Sequence, residues 1–118
     1  MTTAEIAADF AAMCIKGDWD AAGAKYWSPD IVSIEAAGPE PVARGLDAVH
    51  AKGEWWYSNH DIHSVEAAGP YVNGDQFIMR FKMDLTFKPT GERTQMEEEA
   101  LYTVKDGKVV EERFFYNQ

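Results

Sequence analysis

Two glutamates occupy strand positions at which a carboxyl group could exchange protons with a bound molecule. Glu98 is the middle residue of a run of three glutamates, and strand alternation turns it toward a face that is otherwise apolar. Glu112 lies on the more apolar face of the last strand. A carboxylate that stays ionised, unpaired and dry is costly, so each residue needs a partner, a raised pKa or water. A ligand pocket supplies all three. The alternative for Glu98 is a bulge or a sheet edge that reaches solvent.

Glu35 is the strongest candidate for a general base. It lies on the first predicted strand, just before a loop rich in glycine and proline. A glutamate in an apolar cleft has a pKa raised toward neutrality, where it can take a proton from carbon or water. Together, Glu35 and Glu98 form the predicted catalytic pair. The alternative is that Glu35 is a rim residue on a short strand, without a chemical role.

His63 is predicted to point inward with the apolar residues of its strand. There it either lines the pocket or is a hydrogen-bonded core residue. His60 lies three residues earlier, so the two imidazoles of a regular strand point to opposite faces. They could share a metal ion only across a bulge. We therefore predict no metal site and no cofactor.

Alternating apolar side chains are predicted to line the pocket. The long strand 75–88 has apolar odd positions and polar even ones, which places Arg80 and Asp84 outside. The hydroxyl groups of two tyrosines, at 102 and 116, could orient a ligand. Trp55 and Trp56 point about 100° apart on a helix, and we predict that Trp56 is the inward one. The predicted pocket residues are Trp56, His63, Phe81, Met83, Tyr102, Glu112 and Phe114.

Three helices are predicted to position these residues from one side. The first begins at a capping box of Thr2 and Glu5, in which each side chain binds the backbone N–H group of the other. Asp18 is predicted to cap the second helix, which includes Trp27 and ends at the proline that follows. The third helix is predicted from residue 46 to about residue 58.

Strands make up most of the remaining chain. The first is predicted at 31–37, followed by the loop 38–45, which is too rich in glycine and proline for a regular element. After residue 59 the pattern changes to the two-residue period of strands, with Asn-Gly and Asp-Gly turns. This order of helices and antiparallel strands is α+β, and residues 1–118 are predicted to form a single domain. The four later strands are predicted at 61–72, 75–88, 93–105 and 108–117.

The composition argues against several classes of partner. The 118 residues include 11 Lys and Arg against 20 Asp and Glu, a net charge of -9. The basic residues are scattered, whereas nucleic acids and anionic membranes require clusters of them. No apolar stretch has the length of a membrane span, and the N-terminus lacks the positive region of a signal peptide. We therefore expect a cytoplasmic protein, in which the single cysteine, Cys14, is a buried structural thiol.

Several strings, and their order along the chain, resemble a known superfamily. They are Lys-Gly-Asp-Trp-Asp at 16–20, Trp-Ser-Pro-Asp-Ile-Val-Ser-Ile-Glu at 27–35, Gly-Leu-Asp-Ala-Val at 45–49, and the ending 104–117. The chain resembles a SnoaL-like member of the nuclear transport factor 2-like superfamily, which includes ketosteroid isomerases and limonene epoxide hydrolases. The resemblance implies a cystatin-like α+β fold, with a cone-like, bent antiparallel sheet wrapping about three N-terminal helices. It also implies a conical pocket and a homodimer formed through the sheet.

The resemblance further indicates which reactions the residues fit. Glu35 matches the general-base aspartate of the ketosteroid isomerases. Their two oxyanion donors correspond to about Ala11 and Ala100, which have no hydrogen-bond donor in the side chain. Losing even one such donor typically costs about a hundredfold or more in rate, so the ketosteroid isomerase reaction is not expected.

Of the other two relatives, the epoxide hydrolases have catalytic residues that this chain lacks, whereas the cyclases are compatible with the sequence. The arginine and two aspartates of the epoxide hydrolases correspond to apolar residues at 81, 83 and 114, so that reaction is not expected either. SnoaL-type cyclases use an acid–base carboxylate or histidine for an intramolecular aldol reaction. Glu35, Glu98 or His63 could serve in that role.

Two functions therefore remain open at this stage. The first is a cofactor-independent acid–base enzyme, of isomerase, cyclase, dehydratase or hydrolase type, that acts on a small apolar or aromatic molecule through Glu35 and Glu98. The second is a non-catalytic module that binds a ligand or forms a dimer. The absence of the oxyanion donors favours the second, and two glutamates converging on an apolar wall favour the first.

Overall fold

The structure is a computed structural model that describes residues 1–117. Over this range the chain forms three helices and a single six-stranded sheet. The predicted α+β class is confirmed. The elements are α1 Thr3–Lys16, α2 Trp19–Tyr26, β1 Trp27–Ile34, β2 Val42–Arg44, α3 Leu46–Asn59, β3 His60–Asn73, β4 Gln76–Phe87, β5 Glu92–Lys105 and β6 Lys108–Phe115.

The ends of the helices follow local side-chain chemistry in part. The predicted capping box of α1 is present, with Thr2 and Glu5 bonded to each other's backbone N–H groups. Asp18 precedes α2 as predicted, but its side chain makes no capping hydrogen bond. The prediction that Trp27 lies in this helix is wrong, because the chain turns into β1 at that residue. None of the helices within residues 1–117 combines the length and apolar character needed to cross a bilayer.

The sheet is open and mixed, with the strand order β2-β1-β6-β5-β4-β3. Strands β3 to β6 form the predicted antiparallel meander, whereas β1 pairs with β6 in parallel. Residues 42–44 were predicted to lie in a loop, but they form the short strand β2 beside β1. Register shifts occur in the β1–β6, β3–β4 and β5–β6 pairs, and such irregularities bend a sheet.

One face of the sheet forms the core together with the three helices. The predicted alternation in β4 is confirmed, with Phe77, Met79 and Phe81 buried and the residues between them exposed. In β6 the register shift changes the predicted face, because Val109, and not Val110, is buried on the same side as Glu112. The other buried core residues are Ile6, Ala7, Phe10, Ala11, Cys14, Ala22, Tyr26, Ile31, Val49, Ala100, Tyr102 and Val104.

Helix α3 is held against the first strand at its beginning. The N–H group of Gly45 donates to the carbonyl oxygen of Ile31 at 2.8 Å. Gly45 has φ 86°, in the left-handed region that glycine occupies without strain. This link fixes where α3 starts along β1, and therefore which of its side chains reach the polar end of the inner face.

Candidate functional site

A chain of three polar side chains crosses the inner face of the sheet. The Ser33 hydroxyl donates to Glu112 Oε1 at 2.8 Å, and the Lys52 ammonium donates to Ser33 Oγ at 2.6 Å. Ser33 and Glu112 are directly opposite in the parallel β1–β6 pair, and both are buried. The strand register therefore places the serine and the carboxyl group together, and α3 brings the cation to them.

Glu35 is the second acidic residue beside this cation. The Lys52 Nζ to Glu35 Oε2 distance is 3.3 Å, and both side chains are about a quarter exposed, at 29% and 26%. Oε2 has no hydrogen bond, so the contact is an ion pair without hydrogen-bond geometry. Glu35 follows the end of β1, and its backbone N–H group donates to the carbonyl oxygen of Pro41 at 2.8 Å. The loop before β2 thus holds Glu35 at the solvent-accessible end of the cluster.

Glu98 lies on the inner face of β5, as the alternation predicted, and is half-buried. Burial raises the pKa of its carboxyl group to about 8, and the negative charge of Glu35 contributes to the increase. The positive charge of Lys52 acts in the opposite direction. Glu98 is therefore mostly protonated at neutral pH. A carboxylic acid in this state can donate a hydrogen bond or a proton.

Glu112 is the most deeply buried of the three glutamates, with 5% of its surface exposed. Burial raises the pKa of its carboxyl group, while the hydrogen bond from Ser33 and the charge of Lys52 lower it. The buried indole N–H group of Trp27 also faces this carboxyl group and lowers its pKa, although its geometry falls short of a hydrogen bond. Glu112 thus serves as the buried end of the polar chain.

Two of the predicted pocket residues are closed within the core. Phe81 and Tyr102 are 4% and 3% exposed. Tyr102 stacks on Phe77 with a centroid distance of 5.0 Å, and burial holds the pKa of its hydroxyl group well above the usual range. Met83 and Phe114 are half-buried and pack against the core. Phe114 contacts the cation of the cluster, since Lys52 Nζ lies 5.0 Å from the centre of its ring.

The other two predicted pocket residues lie outside the cluster. His63 was predicted to point inward, but it is exposed and its Nε2 is 2.7 Å from Thr86 Oγ1. The register of β3 against β4 shifts at this residue, between Ile62 and Ser64, and the shift turns the imidazole outward. Trp56 is half-buried as predicted, but its ring stacks on His60 at 3.9 Å.

Two surface depressions lie outside this cluster. One, of about 380 Å³, is lined by residues 17–21 and Tyr57, and one of about 320 Å³ is lined by Glu97, Glu99 and residues 115–117. Within the part of the chain that the structure describes, neither includes Glu35, Glu98 or Glu112. The same residues, 1–117, contain no group of three acidic, histidine or cysteine side chains arranged to hold a metal ion. Cys14 is buried as expected, and burial raises its thiol pKa to about 12.

Sequence reasoning missed Lys52 and Ser33, although each has a local signal. Lys52 lies three residues after the buried Val49 and four before Trp56, a spacing that places it on the inward side of α3. Ser33 lies two residues after the buried Ile31, so strand alternation turns both inward. A lysine and a serine at inward positions are the sequence signal of a buried polar network.

The fold agrees with the comparison with known families. The profile of the SnoaL-like domain family matches residues 1–116. The chain therefore belongs to the SnoaL-like family, and the resemblance found in the sequence is confirmed. A comparison with curated proteins gives no match.

Solved structures show the same fold. A Mesorhizobium loti protein, described as a candidate SnoaL-like polyketide cyclase and also as a carbohydrate phosphatase, is 53% identical to this chain. The match covers 98% of this chain and 100% of that protein, with a TM-score of 0.95. A nuclear transport factor 2-like protein of Burkholderia thailandensis is 24% identical, with 99% and 92% coverage and a TM-score of 0.82. A Xanthomonas campestris protein with a cystatin-like fold is 21% identical, with 100% and 92% coverage and a TM-score of 0.79.

Proposed function

We propose that this protein is a cofactor-independent acid–base enzyme that acts on a small, mostly apolar carbonyl compound. The observation that carries the proposal is the contrast between two neighbouring glutamates. Glu35 is ion-paired with Lys52 and partly exposed, whereas burial keeps Glu98 protonated near neutral pH. Two carboxyl groups whose surroundings separate their protonation states are suited to act as base and acid.

The proposed reaction begins with proton removal at carbon. The Glu35 carboxylate takes a proton from the carbon next to a carbonyl group, and the electron pair of that C–H bond forms an enolate. The protonated carboxyl group of Glu98 donates a hydrogen bond to the enolate oxygen, where negative charge develops. In an intramolecular aldol step the enolate carbon attacks a second carbonyl carbon of the same molecule. The resulting alkoxide takes up the proton that Glu35 removed, so no other reactant is consumed.

The apolar surroundings of the cluster support this class of substrate. Phe114 and Met83 provide half-buried apolar surface near the glutamates. We propose that a small apolar or aromatic molecule enters where Glu35 and Lys52 reach solvent, with its carbonyl group directed at Glu98. The description of the Mesorhizobium loti protein as a candidate polyketide cyclase agrees with an aldol cyclisation.

Hydrogen exchange at carbon tests the proposal with simple model ketones in place of the natural substrate. A panel of aliphatic and aromatic ketones and diketones is incubated with the protein in D₂O, and loss of the α-proton signal is followed by NMR. We expect at least one compound to exchange faster than in buffer. Glu35→Gln is expected to slow that exchange by about 100-fold or more, the usual contribution of a general base.

Glu66→Gln is the matched control, because Glu66 is exposed on β3 and takes no part in the cluster. It should exchange the same compound at the wild-type rate. If the whole panel exchanges at the buffer rate, or if Glu35→Gln retains the wild-type rate, the acid–base assignment is wrong.

A non-catalytic binding module is the second candidate, and one observation favours it. Neither of the two surface depressions formed by the described residues includes Glu35, Glu98 or Glu112. If the protein is such a module, a compound of the panel raises the melting temperature without exchange of its protons. Measuring the melting temperature of Glu35→Gln with the same compound then shows whether binding persists when proton removal is lost.

A further inference from the structure

We propose that Lys52 is a positioning residue of this site: Ser33 and Glu112 hold its ammonium group beside Glu35, so that the cation pairs with Glu35 and leaves Glu98 without an ion-pair partner. This inference rests on the proposed function, in which the two glutamates have different roles. It assigns a role to three residues that do not themselves take or give a proton to the substrate.

The ammonium group of Lys52 is held from three directions. It donates to Ser33 Oγ at 2.6 Å, lies 3.3 Å from Glu35 Oε2, and stands 5.0 Å from the centre of the Phe114 ring. A lysine side chain loses much rotamer freedom when it is fixed, so a single exposed partner seldom holds it. A buried hydroxyl group, an aromatic ring and a carboxylate together define one position for the charge.

Lys52 is more buried than the other lysines that form ion pairs. Its side chain is 29% exposed, whereas the side chains of Lys25, Lys82 and Lys88 are 53%, 53% and 48% exposed in their ion pairs. Less water around Lys52 means weaker screening, so its charge acts more strongly on the glutamates nearby. Ser33, fully buried and bonded to Glu112, cannot turn away from the ammonium group without leaving a polar group unpaired.

The position of the Lys52 ammonium group affects the pKa of the buried glutamates around it. The charge of Lys52 lowers the pKa of Glu98 and of Glu112, which burial raises. Without the cation this opposing effect is lost, so the pKa of both groups should rise further. The groups that act on Glu98 come from several elements of the fold, and they are Glu35, Lys52, Glu99 and Glu112, with the hydroxyl groups of Tyr102 and Tyr116 nearby.

The experiment is a carboxyl titration by carbon-13 NMR of the substrate-free protein, with the cluster glutamates assigned. In the wild type, Glu98 is expected to titrate near pH 8. In Lys52→Met the midpoint of Glu98 should move upward by about one pH unit, the effect of losing a neighbouring opposite charge.

Three further variants test whether the shift depends on the charge and the position of Lys52. Lys52→Arg retains the charge and should leave the Glu98 midpoint near its wild-type value. Ser33→Ala, which loosens the ammonium group, should give a smaller upward shift than Lys52→Met. Lys88→Met removes an exposed lysine, paired with Asp61 at 3.7 Å, and should leave Glu98 unchanged. If Glu98 titrates alike in the wild type, Lys52→Met and Ser33→Ala, the positioning role is wrong.

The titration also separates this inference from the proposed reaction. Because it uses no substrate, a shifted Glu98 midpoint supports the role of Lys52 even when no ketone of the panel is turned over. Conversely, ketone exchange that depends on Glu35 but is unaffected by Lys52→Met would support the enzyme and overturn the positioning role.

Discussion

At the scale of single residues, Glu98 shows how a fold can keep a carboxylic acid protonated. Burial raises its pKa to about 8, and the neighbouring charges of Glu35 and Glu112 act in the same direction. Lys52 offsets only part of this effect. The ionised form of Glu98 therefore destabilises the folded protein, whereas the protonated form does not. As a result, the free energy of unfolding depends on pH.

The sign of that dependence follows from proton linkage. Between pH 4.5, the ordinary pKa of the group, and pH 8, the unfolded chain releases the Glu98 proton while the folded chain keeps it. This single group therefore lowers the free energy of unfolding as pH rises through the window, by at most about 1.4 kcal/mol per pH unit. Glu98→Gln removes the contribution, so we expect the variant to gain stability relative to the wild type as pH rises.

Urea denaturation at several pH values across this window measures the difference. Glu92→Gln, an exposed change on the same strand, should show no such trend. A Glu98→Gln difference that does not change with pH would mean that Glu98 is ionised in the folded protein, contrary to its assignment as the acid.

The sequence was a good guide to some of these residues and a poor one to others. Glu98 and Glu112 could be predicted as inward because the two-residue alternation of a strand holds at both positions. His63 could not, since the shift at residues 62–64 is a property of the β3–β4 pairing. From the sequence alone, Lys52 is predicted to be exposed, because a lysine is seldom buried unless it is paired.

At the scale of elements, α2 and β1 pack closely together where Gly23 meets the ring of Trp27. A methyl group on Gly23 would lie 1.9 Å from the ring of Trp27, the residue whose indole N–H group faces Glu112. The helix must therefore have glycine there for β1 to begin with its tryptophan in place.

Alanine substitutions at two helical glycines test this fit. Gly23→Ala should destabilise the protein by about 1–3 kcal/mol, as overpacking does, and should change the near-ultraviolet signal of the displaced tryptophan. Gly53→Ala is the matched control, since a methyl group on Gly53 meets no atom within 4 Å and should stabilise α3 by up to about 1 kcal/mol. Thermal and urea unfolding measure both, and a neutral Gly23→Ala would mean that the ring moves freely.

At the scale of the whole molecule, the outer face of the sheet has a row of apolar side chains in register. Tyr71 on β3 is opposite Ile78 on β4, and Ile78 is opposite Leu101 on β5. Tyr71 is 64% exposed and Ile78 38% exposed, and the ion pairs of Arg80 with Glu97 and Glu99 lie beside the row. An apolar centre with a charged rim is the common anatomy of a protein interface.

We expect this face to form the homodimer that the sequence resemblance implied. Sedimentation velocity should then give twice the chain mass of 13.2 kDa for the wild type. Ile78→Glu places a charge at the centre of the row and should give a monomer, because an unpaired buried charge is costly. Ile15→Glu, a change at an exposed residue of α1, should leave the dimer intact. A wild-type monomer, or a dimer that tolerates Ile78→Glu, excludes this interface.

Local chemistry in the sequence determined the order of most elements, the hairpin turns and the inward direction of Glu98 and Glu112, because caps, turn residues and strand alternation act over a few residues. Only the tertiary structure decided which groups meet. The Ser33–Glu112 bond joins residues 79 positions apart, and the Lys52–Ser33 bond joins residues 19 apart. Both depend on the parallel pairing of β1 with β6 and on the point where α3 begins against β1, which no local pattern specifies. The cluster therefore exists only in the folded sheet, where strand register brings a cation, a hydroxyl group and three carboxyl groups together.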